Sequence, residues 1–253
     1  MDFRALLNHE EYAFLHTSPH LGERIILLGV SGSYGYGTNC EGSDVDLRGV
    51  TLNLPSDLIG LTSYEQYEDR GTDTVIYAFT KAVRLFLNCN PNTIEILGLD
   101  DDQYLIKTDI GKELLDHRRM FLSRRAADSF GHYANSQLQR LQNAFDRDRK
   151  DDKHRNKHAM HLVRLFMMGI DILKEAEIRT HRPEEDLKLL RSIRSGAYMK
   201  DHVMIPEFYE IVNEYRQRFC EAEEQCILPE NPDMEAVEAF VEDVNRRVVY
   251  GEI

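Results

Sequence analysis

The spacing of hydrophobic residues differs between the two halves of this 253-residue chain. Through residue 99, short apolar runs rich in β-branched and aromatic residues alternate with turn residues, a pattern typical of strands. Three such runs predict strands, at residues 24–30, 45–50 and 72–79. Helical spacing occurs there only in short stretches. The first hundred residues therefore predict a mixture of short strands and helices.

From residue 109 onward the apolar residues recur every three or four positions, which predicts helices throughout. A run of mostly charged residues at 146–153 predicts a loop, one that could be disordered in the free protein. This half of the chain is predicted to be all-helical. The expected helices lie at about residues 110–145, 155–178, 184–195, 206–226 and 233–249.

Composition narrows the class of protein. The longest apolar runs are far shorter than the roughly 20 residues that a membrane-spanning helix needs, so no membrane protein is expected. The first residues lack a basic segment followed by an apolar one, which argues against a secretory signal. The four cysteines form no CxxC pair and no zinc-knuckle spacing, which predicts reduced thiols. We therefore expect a globular protein of the cytoplasm.

The net charge of −13 argues at first against a polyanionic partner, but its distribution changes that inference. Residues 117–200 hold 19 lysines and arginines against 11 aspartates and glutamates, a local balance of +8 with six of the ten histidines. The remainder of the chain carries −21. Charge asymmetry of this kind bears on partners rather than on fold. Two interpretations stay open, a surface that binds phosphates and a solvated basic face.

The most specific stretch of the sequence follows the first predicted strand. Gly32 and Ser33 come directly after it, where a glycine lets the backbone approach a ligand and backbone N–H groups can hold phosphate oxygens. Asp44 and Asp46 are separated by one residue, so in a strand both carboxylates point to the same face. Two converging carboxylates repel each other unless a cation lies between them, and Mg²⁺ prefers oxygen ligands. The stretch therefore predicts metal-assisted chemistry on a phosphate, without the Gly-Lys-Ser/Thr of a Walker loop.

The motif begins with Gly32 and Ser33 after a strand, and Asp44-Val45-Asp46 follows eleven residues after Ser33. In this motif the chain resembles the DNA polymerase β superfamily of nucleotidyltransferases. Within it the chain is similar to a bacterial and phage group, the RNA repair pathway DNA polymerase β family. The resemblance extends through residues 43–50, 90–97 and 157–165. It implies an α+β fold, with a small mixed-sheet nucleotidyltransferase palm at residues 1–108 and an all-helical domain at 109–253.

The resemblance also implies a third carboxylate on a neighbouring strand. Asp73 is the best candidate, at the start of the third predicted strand, and Glu68 and Asp69 are close competitors. Glu95 is a further candidate, although a buried acid bonded to backbone N–H groups is its more expected role. If none of these carboxylates reaches the metals, transfer chemistry is in doubt.

By the same resemblance, a two-metal site of Mg²⁺, or of Mn²⁺, is expected to form on three carboxylates, those of Asp44, Asp46 and Asp73. The phosphates of an NTP are expected to lie against Gly32, Ser33 and Ser43. Tyr34 and Tyr36, beside the motif, would either stack a base or pack within the turn.

A basic segment of the second long predicted helix is the other candidate for phosphate binding. Lys157, His161 and Arg164 would donate to a triphosphate or to an RNA backbone and neutralise the charge on the leaving pyrophosphate. In polymerase β relatives a helical domain closes over the nucleotide, which agrees with this assignment. Arg191 and Arg194 are weaker candidates for the same surface.

Other interpretations of this segment stay open. It could be a structural helix face. His154, His158 and His161 share a helical face and could bind zinc, although the surrounding cations oppose a metal. Arg155 and His161 also fit the loose Arg-x(4–6)-His pattern of HEPN ribonucleases, a match that chance explains in so basic a segment.

We therefore expect a Mg²⁺-dependent nucleotidyltransferase that moves a nucleoside monophosphate from an NTP to a hydroxyl, with an RNA end such as a damaged tRNA as acceptor. One alternative is nucleotidylation of a protein or a small molecule, for example AMPylation, as in minimal nucleotidyltransferase antitoxins. A second alternative is a non-catalytic regulator that binds an NTP. The sequence does not determine the acceptor, the preferred NTP, the number of nucleotides added or the oligomeric state.

Overall fold

A five-stranded sheet lies in the first half of the chain. The computed structural model describes residues 3–147 and 152–253, with side chains outside 143–147. The strands run in the order β3-β4-β2-β1-β5. Strand β2 is parallel to β4, and the other neighbouring pairs are antiparallel, so the sheet is mixed. Their bounds are β1 (Ile25–Val30), β2 (Leu47–Thr51), β3 (Gln66–Asp69), β4 (Thr74–Ala78) and β5 (Tyr104–Lys107).

The sequence pattern predicts β1, β2 and β4 but misses β3 and β5. The two missed strands are the edges of the sheet and have four residues each. Strand β3 is polar, and its residues alternate between exposed and half-buried. An edge strand can pair through its backbone without the apolar run that marks a central strand.

Short helices surround the sheet in this half of the chain. Helix α5 follows β4 directly, and Asn90 caps α6 by accepting a hydrogen bond from the Asn92 N–H at 3.0 Å. The helices are α1 (Phe3–Leu6), α2 (Phe14–Thr17), α3 (Gly32–Gly35), α4 (Pro55–Ile59), α5 (Phe79–Leu87) and α6 (Pro91–Ile94). Short 3₁₀ turns lie at Glu10–Tyr12, Gly22–Arg24, Glu95–Gly98 and Asp101–Gln103.

Long helices make up most of the second half. The single helix predicted at 110–145 is wrong in one respect, because a 3₁₀ turn at Arg118–Phe121 divides it. Phe121, the last residue of that turn, is buried in the core. The helices are α7 (Asp109–Asp116), α8 (Arg125–Arg147), α9 (Asp152–Glu175), α10 (Glu184–Arg194), α11 (Pro206–Glu224) and α12 (Met234–Val249).

Two further details complete the predicted helical half. A short hairpin pairs β6 (Met199–Lys200) with β7 (Val203–Met204), so the described part of this half contains one small ribbon besides its helices, contrary to the all-helical prediction. Asp201 and His202 between these strands adopt positive φ values of 51° and 65°, which reverse the chain. Of the loop predicted at 146–153, residues 148–151 lie outside the described residues, and the flanking residues belong to α8 and α9.

Both faces of strand β1 are covered. All six residues of β1 are buried. Leu28 and Val30 pack with Tyr12 and Leu15 of the N-terminal segment, whereas Leu27 belongs to a larger cluster that continues into the long helices. Hydrophobic packing therefore joins the sheet to the helices. The division at residues 108 and 109 stays a prediction.

Helix α9 lies at the centre of the helical half. It packs against α8, α10 and α11, and from Ala159 to Leu173 most of its residues are buried. A helix that is apolar on most sides is a core helix, and α9 has this character over the stretch from Ala159 to Leu173. Within the described residues, no helix is long and apolar enough to cross a membrane.

Candidate active site

The glycine that follows β1 lies directly against the second aspartate of the motif. The Ser31 N–H donates to the Asp46 carbonyl oxygen at 2.9 Å, which joins the end of β1 to the start of β2. Gly32 adopts a φ of +56°, and a Cβ at this position would overlap the Asp46 carboxylate. Glycine is therefore required at position 32 both for its backbone conformation and for the space that Asp46 occupies.

The strand register brings two carboxylates to the same end of the sheet. In the parallel pairing of β2 with β4, Leu47 lies opposite Thr74 and Arg48 opposite Val75. The Leu47 N–H donates to the Asp73 carbonyl oxygen at 3.2 Å, so Asp46 and Asp73 stand side by side before their strands. Their carboxyl groups are within hydrogen-bond reach of each other.

This proximity changes the ionisation of both carboxyl groups. Burial, together with the adjacent Asp73, raises the pKa of Asp46 to about 7. The hydrogen bond from Asp46 and the nearby Arg48 guanidinium lower the pKa of Asp73. Arg48 Nη2 forms an ion pair with Asp73 Oδ1 at 3.1 Å. Burial and a neighbouring like charge both disfavour the ionised form of a carboxyl group, which accounts for the raised pKa of Asp46.

The competing acidic residues of β3 have other partners. Asp69 accepts hydrogen bonds from the Thr72 N–H and hydroxyl, both at 2.9 Å, and Glu68 pairs with Arg70 at 3.4 Å. Neither lines the cleft described below. The structure thus brings Asp73, and not these two residues, next to Asp46.

Asp44 and Glu95 lie farther from this pair. The Asp44 side chain is exposed at the outer end of the cleft. Glu95 is buried and accepts a hydrogen bond from the Ser31 hydroxyl, a side-chain partner in place of the expected backbone N–H groups. Among the described residues, no group of three possible ligands is assembled closely enough to hold a metal ion.

Two cavities that share part of their lining, including Asp46 and Asp73, form a cleft with two lobes. We call the lobe of about 260 Å³ on the Asp44 side the outer lobe, and the lobe of about 380 Å³ beneath helix α9 the inner lobe. Both lobes share Ser33, Asp46, Asp73, Lys157 and Arg194. The outer lobe adds Cys40, Gly42, Ser43, Asp44, Lys153 and His154. The inner lobe adds Gly32, Thr38, Arg48, Val75, Tyr77, Asn92, Glu95, Met160, His161 and Arg164.

Helix α9 directs the three predicted cationic positions toward this cleft. Lys157 is exposed and borders both lobes, whereas His161 and Arg164 border the inner lobe. Burial, reinforced by the charges of Arg164 and Lys157, holds the pKa of His161 well below its usual value. His161 is therefore a neutral hydrogen-bonding group near pH 7, and the positive charge on this face comes from Lys157 and Arg164.

The histidines of α9 do not converge on one point. His158 Nδ1 lies 2.9 Å from Gln137 Oε1, while His154 and His161 border different lobes. Arg155 lies outside the cleft, where its guanidinium donates to the His202 carbonyl oxygen. His161 lies six positions after it, which places the two on different faces of the helix. The zinc interpretation requires the histidines to meet, and the ribonuclease interpretation requires Arg155 to meet His161. The structure brings neither set of side chains together.

Arg164 stacks on the tyrosine of the motif loop. Its Cζ lies 3.6 Å from the ring centroid of Tyr36, which is 1% exposed and donates to Met168 Sδ at 3.2 Å. Tyr34 packs edge-on against Phe3, with ring centroids 5.2 Å apart. Of the two roles considered for these tyrosines, the structure shows packing.

Helix α10 holds the motif loop from the other side. Arg191 donates twice to the Gly37 carbonyl oxygen, at 3.1 Å and 2.7 Å, and Arg194 Nη2 donates to Ser43 Oγ at 3.2 Å. The sequence suggested both arginines only weakly, because nothing local connects residues 191–194 with the loop.

Several lining residues were missed by sequence reasoning. Arg48 could have been found, since it lies two residues after Asp46 on the same face of the strand. Asn92 and Lys153 carry no comparable signal, because only the packing of α6 and α9 brings them to the cleft.

Comparison with known proteins bears on the family. The family described as RlaP, RNA repair pathway DNA polymerase beta family, matches residues 6–235. A solved nucleotidyltransferase-like protein from Exiguobacterium sibiricum 255-15 is similar at 10% identity and a TM-score of 0.32, over 84% of this chain and 75% of that one. No curated protein matches in sequence. The structural likeness is too remote to assign a role to any residue, so the assignment to a family rests on the match in sequence.

Proposed function

Because the chain belongs to the RNA repair pathway DNA polymerase beta family, whose members are polymerase β-like nucleotidyltransferases, we propose that it transfers a nucleoside monophosphate from an NTP to a hydroxyl at an RNA end, such as that of a damaged tRNA. The observation that carries this proposal is the packing of Gly32 against Asp46, with Asp73 beside it, at the centre of a cleft lined by cations. Phosphoryl transfer depends on such positioning and charge compensation.

Mg²⁺, or Mn²⁺, is the proposed cofactor. The donor set fits a hard cation because it consists of carboxylates. Burial and the adjacent Asp73 raise the pKa of Asp46, and a cation between the two carboxylates would relieve their repulsion. Asp44, exposed at the outer lobe, would turn inward as the third ligand. The bound cations would lower the pKa of the attacking hydroxyl and compensate the charge of the triphosphate.

The residues of the chain bind and orient the reacting groups. In the transfer, the acceptor oxygen bonds to the α-phosphorus, the bond from that phosphorus to the bridging oxygen breaks, and pyrophosphate leaves with the bridging oxygen. Gly32, Ser33 and Ser43 would hold the β and γ phosphates. Lys157 and Arg194 border both lobes and would compensate the charge that develops on the pyrophosphate.

The basic segment at residues 117–200 supports RNA as the acceptor. Helices α9 and α10 of this segment supply most of the cations of the cleft: Lys153, Lys157, Arg164 and Arg194. Cationic side chains that neutralise phosphates give affinity for nucleic acid. All four cysteines are free thiols, which supports the proposed cytoplasmic location.

The test is incubation with labelled NTPs, Mg²⁺ and tRNA whose 3′ end is intact or trimmed. We expect label on the RNA, none after chelation of the metal, and none with Asp46→Asn, which keeps the shape of the side chain. Equal labelling by the wild type and by the Asp44→Asn, Asp46→Asn double variant would contradict the proposal. Label on a protein or small molecule instead of RNA would make that molecule the acceptor, and NTP binding without any transfer would indicate a regulator.

A further inference from the structure

Glu95 is a buried carboxylate to which the proposed function assigns no role. It lies at the start of the 3₁₀ turn at Glu95–Gly98, is 6% exposed and borders the inner lobe. A buried carboxylate costs free energy unless hydrogen bonds or opposite charges compensate for its lost hydration. The groups that the carboxylate contacts therefore indicate what it does.

The Glu95 carboxylate interacts with both ends of the short turn after β1. We call residues 31–36, which are helix α3 and the residue on each side of it, the motif turn. At one end the Ser31 hydroxyl donates to Glu95 Oε1, 64 residues away along the chain. At the other end burial, reinforced by the charge of Glu95, raises the pKa of Tyr36 well above its usual value. Ser31 and Tyr36 are each 1% exposed, so water does not compete for these interactions.

Ser31 connects Glu95 with the catalytic aspartate of β2. Its backbone N–H donates to the Asp46 carbonyl oxygen at 2.9 Å, while its side chain donates to Glu95. Gly32 and Ser33, which the proposed function gives to the phosphates, follow Ser31 directly. Because Gly32 lies against the Asp46 carboxylate, a rotation of the backbone at Ser31 would change that contact and turn the N–H groups of the motif turn.

The 3₁₀ turn that carries Glu95 is itself fixed from two sides. The buried Tyr104 hydroxyl donates to the Ile96 carbonyl oxygen at 2.7 Å. The Thr180 hydroxyl donates to the Gly98 carbonyl oxygen, also at 2.7 Å. A side chain can hold a functional group in place when its own position is set by surrounding contacts. Glu95 meets that condition.

We infer that Glu95 is a positioning residue of the transfer site, whose carboxylate holds Ser31, and with it Gly32 and Ser33, in the conformation that receives the phosphates of the NTP. Glu95 thus acts through Ser31. This inference rests on the proposed function and adds a positioning group to its phosphate-binding turn. A carboxylate suits the position because both of its oxygens accept hydrogen bonds, whereas an amide presents one acceptor oxygen.

The test compares variants that remove either partner of this contact. They are Ser31→Ala, Glu95→Met, Glu95→Gln and the combinations of Ser31→Ala with each Glu95 variant. Tyr104→Phe is the matched control, because it removes a buried hydrogen bond to the same 3₁₀ turn that does not involve the motif turn. The measurements are the Kd of an α,β-methylene NTP analogue with Mg²⁺, the kcat for labelling of RNA, and thermal unfolding. Analogues of all four bases are tried with the wild type, and the tightest is used.

We expect Ser31→Ala and Glu95→Met each to raise the Kd of the analogue about fivefold, the factor that one hydrogen bond is worth. The kcat should fall at least about tenfold, because a small misplacement at a reacting centre can lower a rate by up to about a hundredfold. The Ser31→Ala, Glu95→Met double variant should resemble the more affected single variant, since both changes break the same contact.

Two further comparisons separate positioning from a merely structural role. Glu95→Gln keeps an acceptor oxygen and should have a kcat about fivefold above that of Glu95→Met, an advantage that disappears in the Ser31→Ala background. Tyr104→Phe should lose about as much thermal stability as Ser31→Ala and keep Kd and kcat within about twofold. A glutamate that only stabilises the fold would change thermal unfolding alone.

The outcomes distinguish the two proposals. If Ser31→Ala and Glu95→Met shift thermal unfolding but leave Kd and kcat unchanged, or if the double variant shows the product of the two single losses, the inference fails and the proposed function stands. If Glu95→Met does not fold, Ser31→Ala and Glu95→Gln decide. If the wild type binds an analogue but labels no RNA, the proposed function fails and the Kd values decide the inference. If it binds none of the four analogues, both fail.

Discussion

The sheet side and the helix side of the cleft are built in different ways. On the sheet side, Gly32, Asp46 and Asp73 are held by backbone hydrogen bonds and strand register. On the helix side, Lys157 and Arg164 project from α9, whose position depends on packing against three other helices. The short side chain of an aspartate keeps its carboxylate close to the position that the strand gives it, whereas a long exposed cationic side chain such as that of Lys157 adjusts over a wider range by rotation about its own bonds. The sheet side should therefore tolerate much less change than the helix side.

The sharpest test of this comparison is Gly32→Ala. Because the new Cβ would overlap the Asp46 carboxylate at a φ of +56°, we expect a loss of stability of about 2 to 3 kcal/mol. Transfer should fall at least about a hundredfold, the scale for disturbing an electrostatic group of the site. Chemical denaturation and labelled-NTP transfer measure the two effects.

Gly42→Ala is the matched control for that change. Gly42 lies in the same motif with a φ of +74° and has open space where a Cβ would lie. Backbone strain alone should cost about 1 kcal/mol there. Equal losses of activity in the two variants would contradict the role given to the contact between Gly32 and Asp46.

Replacing the buried carboxylate should reduce activity and raise stability. Burial and Asp73 raise the pKa of Asp46 to about 7, so between about pH 4 and pH 7 the folded protein binds a proton that the unfolded chain releases. The stability from this group is present below pH 4 and lost as the pH rises through 7. Asp46→Asn avoids this loss and should be more stable above pH 7 by about 1 to 2 kcal/mol after solvent screening.

Thermal unfolding of Asp46→Asn and the wild type at pH 5 and pH 8 measures this difference, while transfer should fall at least about a hundredfold. The lowered pKa of Asp73 acts near and below pH 4 and leaves this window unaffected. Asp44→Asn is the control, because its exposed side chain should leave stability unchanged. A difference in stability that does not grow between pH 5 and pH 8 would refute the assigned ionisation.

Salt should weaken RNA binding through the helix side. Three phosphate contacts to single-stranded RNA would lower affinity roughly tenfold or more between about 50 and 200 mM salt. Arg164→Gln should reduce the slope of log affinity against log salt by about 0.7, whereas Lys188→Gln, at an exposed cation that does not border the cleft, should leave that slope unchanged. Fluorescence anisotropy over a salt series measures the slopes. An affinity independent of salt would exclude the helix side as an RNA-binding surface.

The smallest expected effect concerns the contact of α10 with the motif loop. Arg191→Gln removes two hydrogen bonds to the Gly37 carbonyl oxygen, which should cost about 1 kcal/mol and lower kcat/KM by up to about fivefold. Lys188→Gln removes an exposed cation from the same helix and serves as the control. If both variants lower kcat/KM equally, the charge of α10 matters and its contact with the loop does not.

Much of the fold followed from local sequence patterns. The central strands and the long helices of the second half are marked by continuous apolar runs and helical spacing. The edge strands β3 and β5 were missed because backbone pairing at an edge needs no such pattern. The division of the predicted helix 110–145 depends on the burial of Phe121, a packing effect that spacing does not reveal.

The roles of the candidate site residues stay predictions, but the structure shows where they lie. The sequence preferred Asp73 over Glu68, Asp69 and Glu95, and the parallel register of β2 with β4 explains why Asp73 lies beside Asp46. Tyr36 next to the motif could have stacked a base, but it is buried beneath Arg164. A side chain's solvent exposure depends on the element that packs over it.

The sequence by itself determined the nucleotidyltransferase motif, the positions of the main elements and the basic segment, because each depends on residues close together along the chain. Tertiary structure alone decided that Asp46 and Asp73 lie side by side, that Glu95 bonds to Ser31, and that Arg164 is buried against Tyr36. Those facts depend on strand register and helix packing between distant segments.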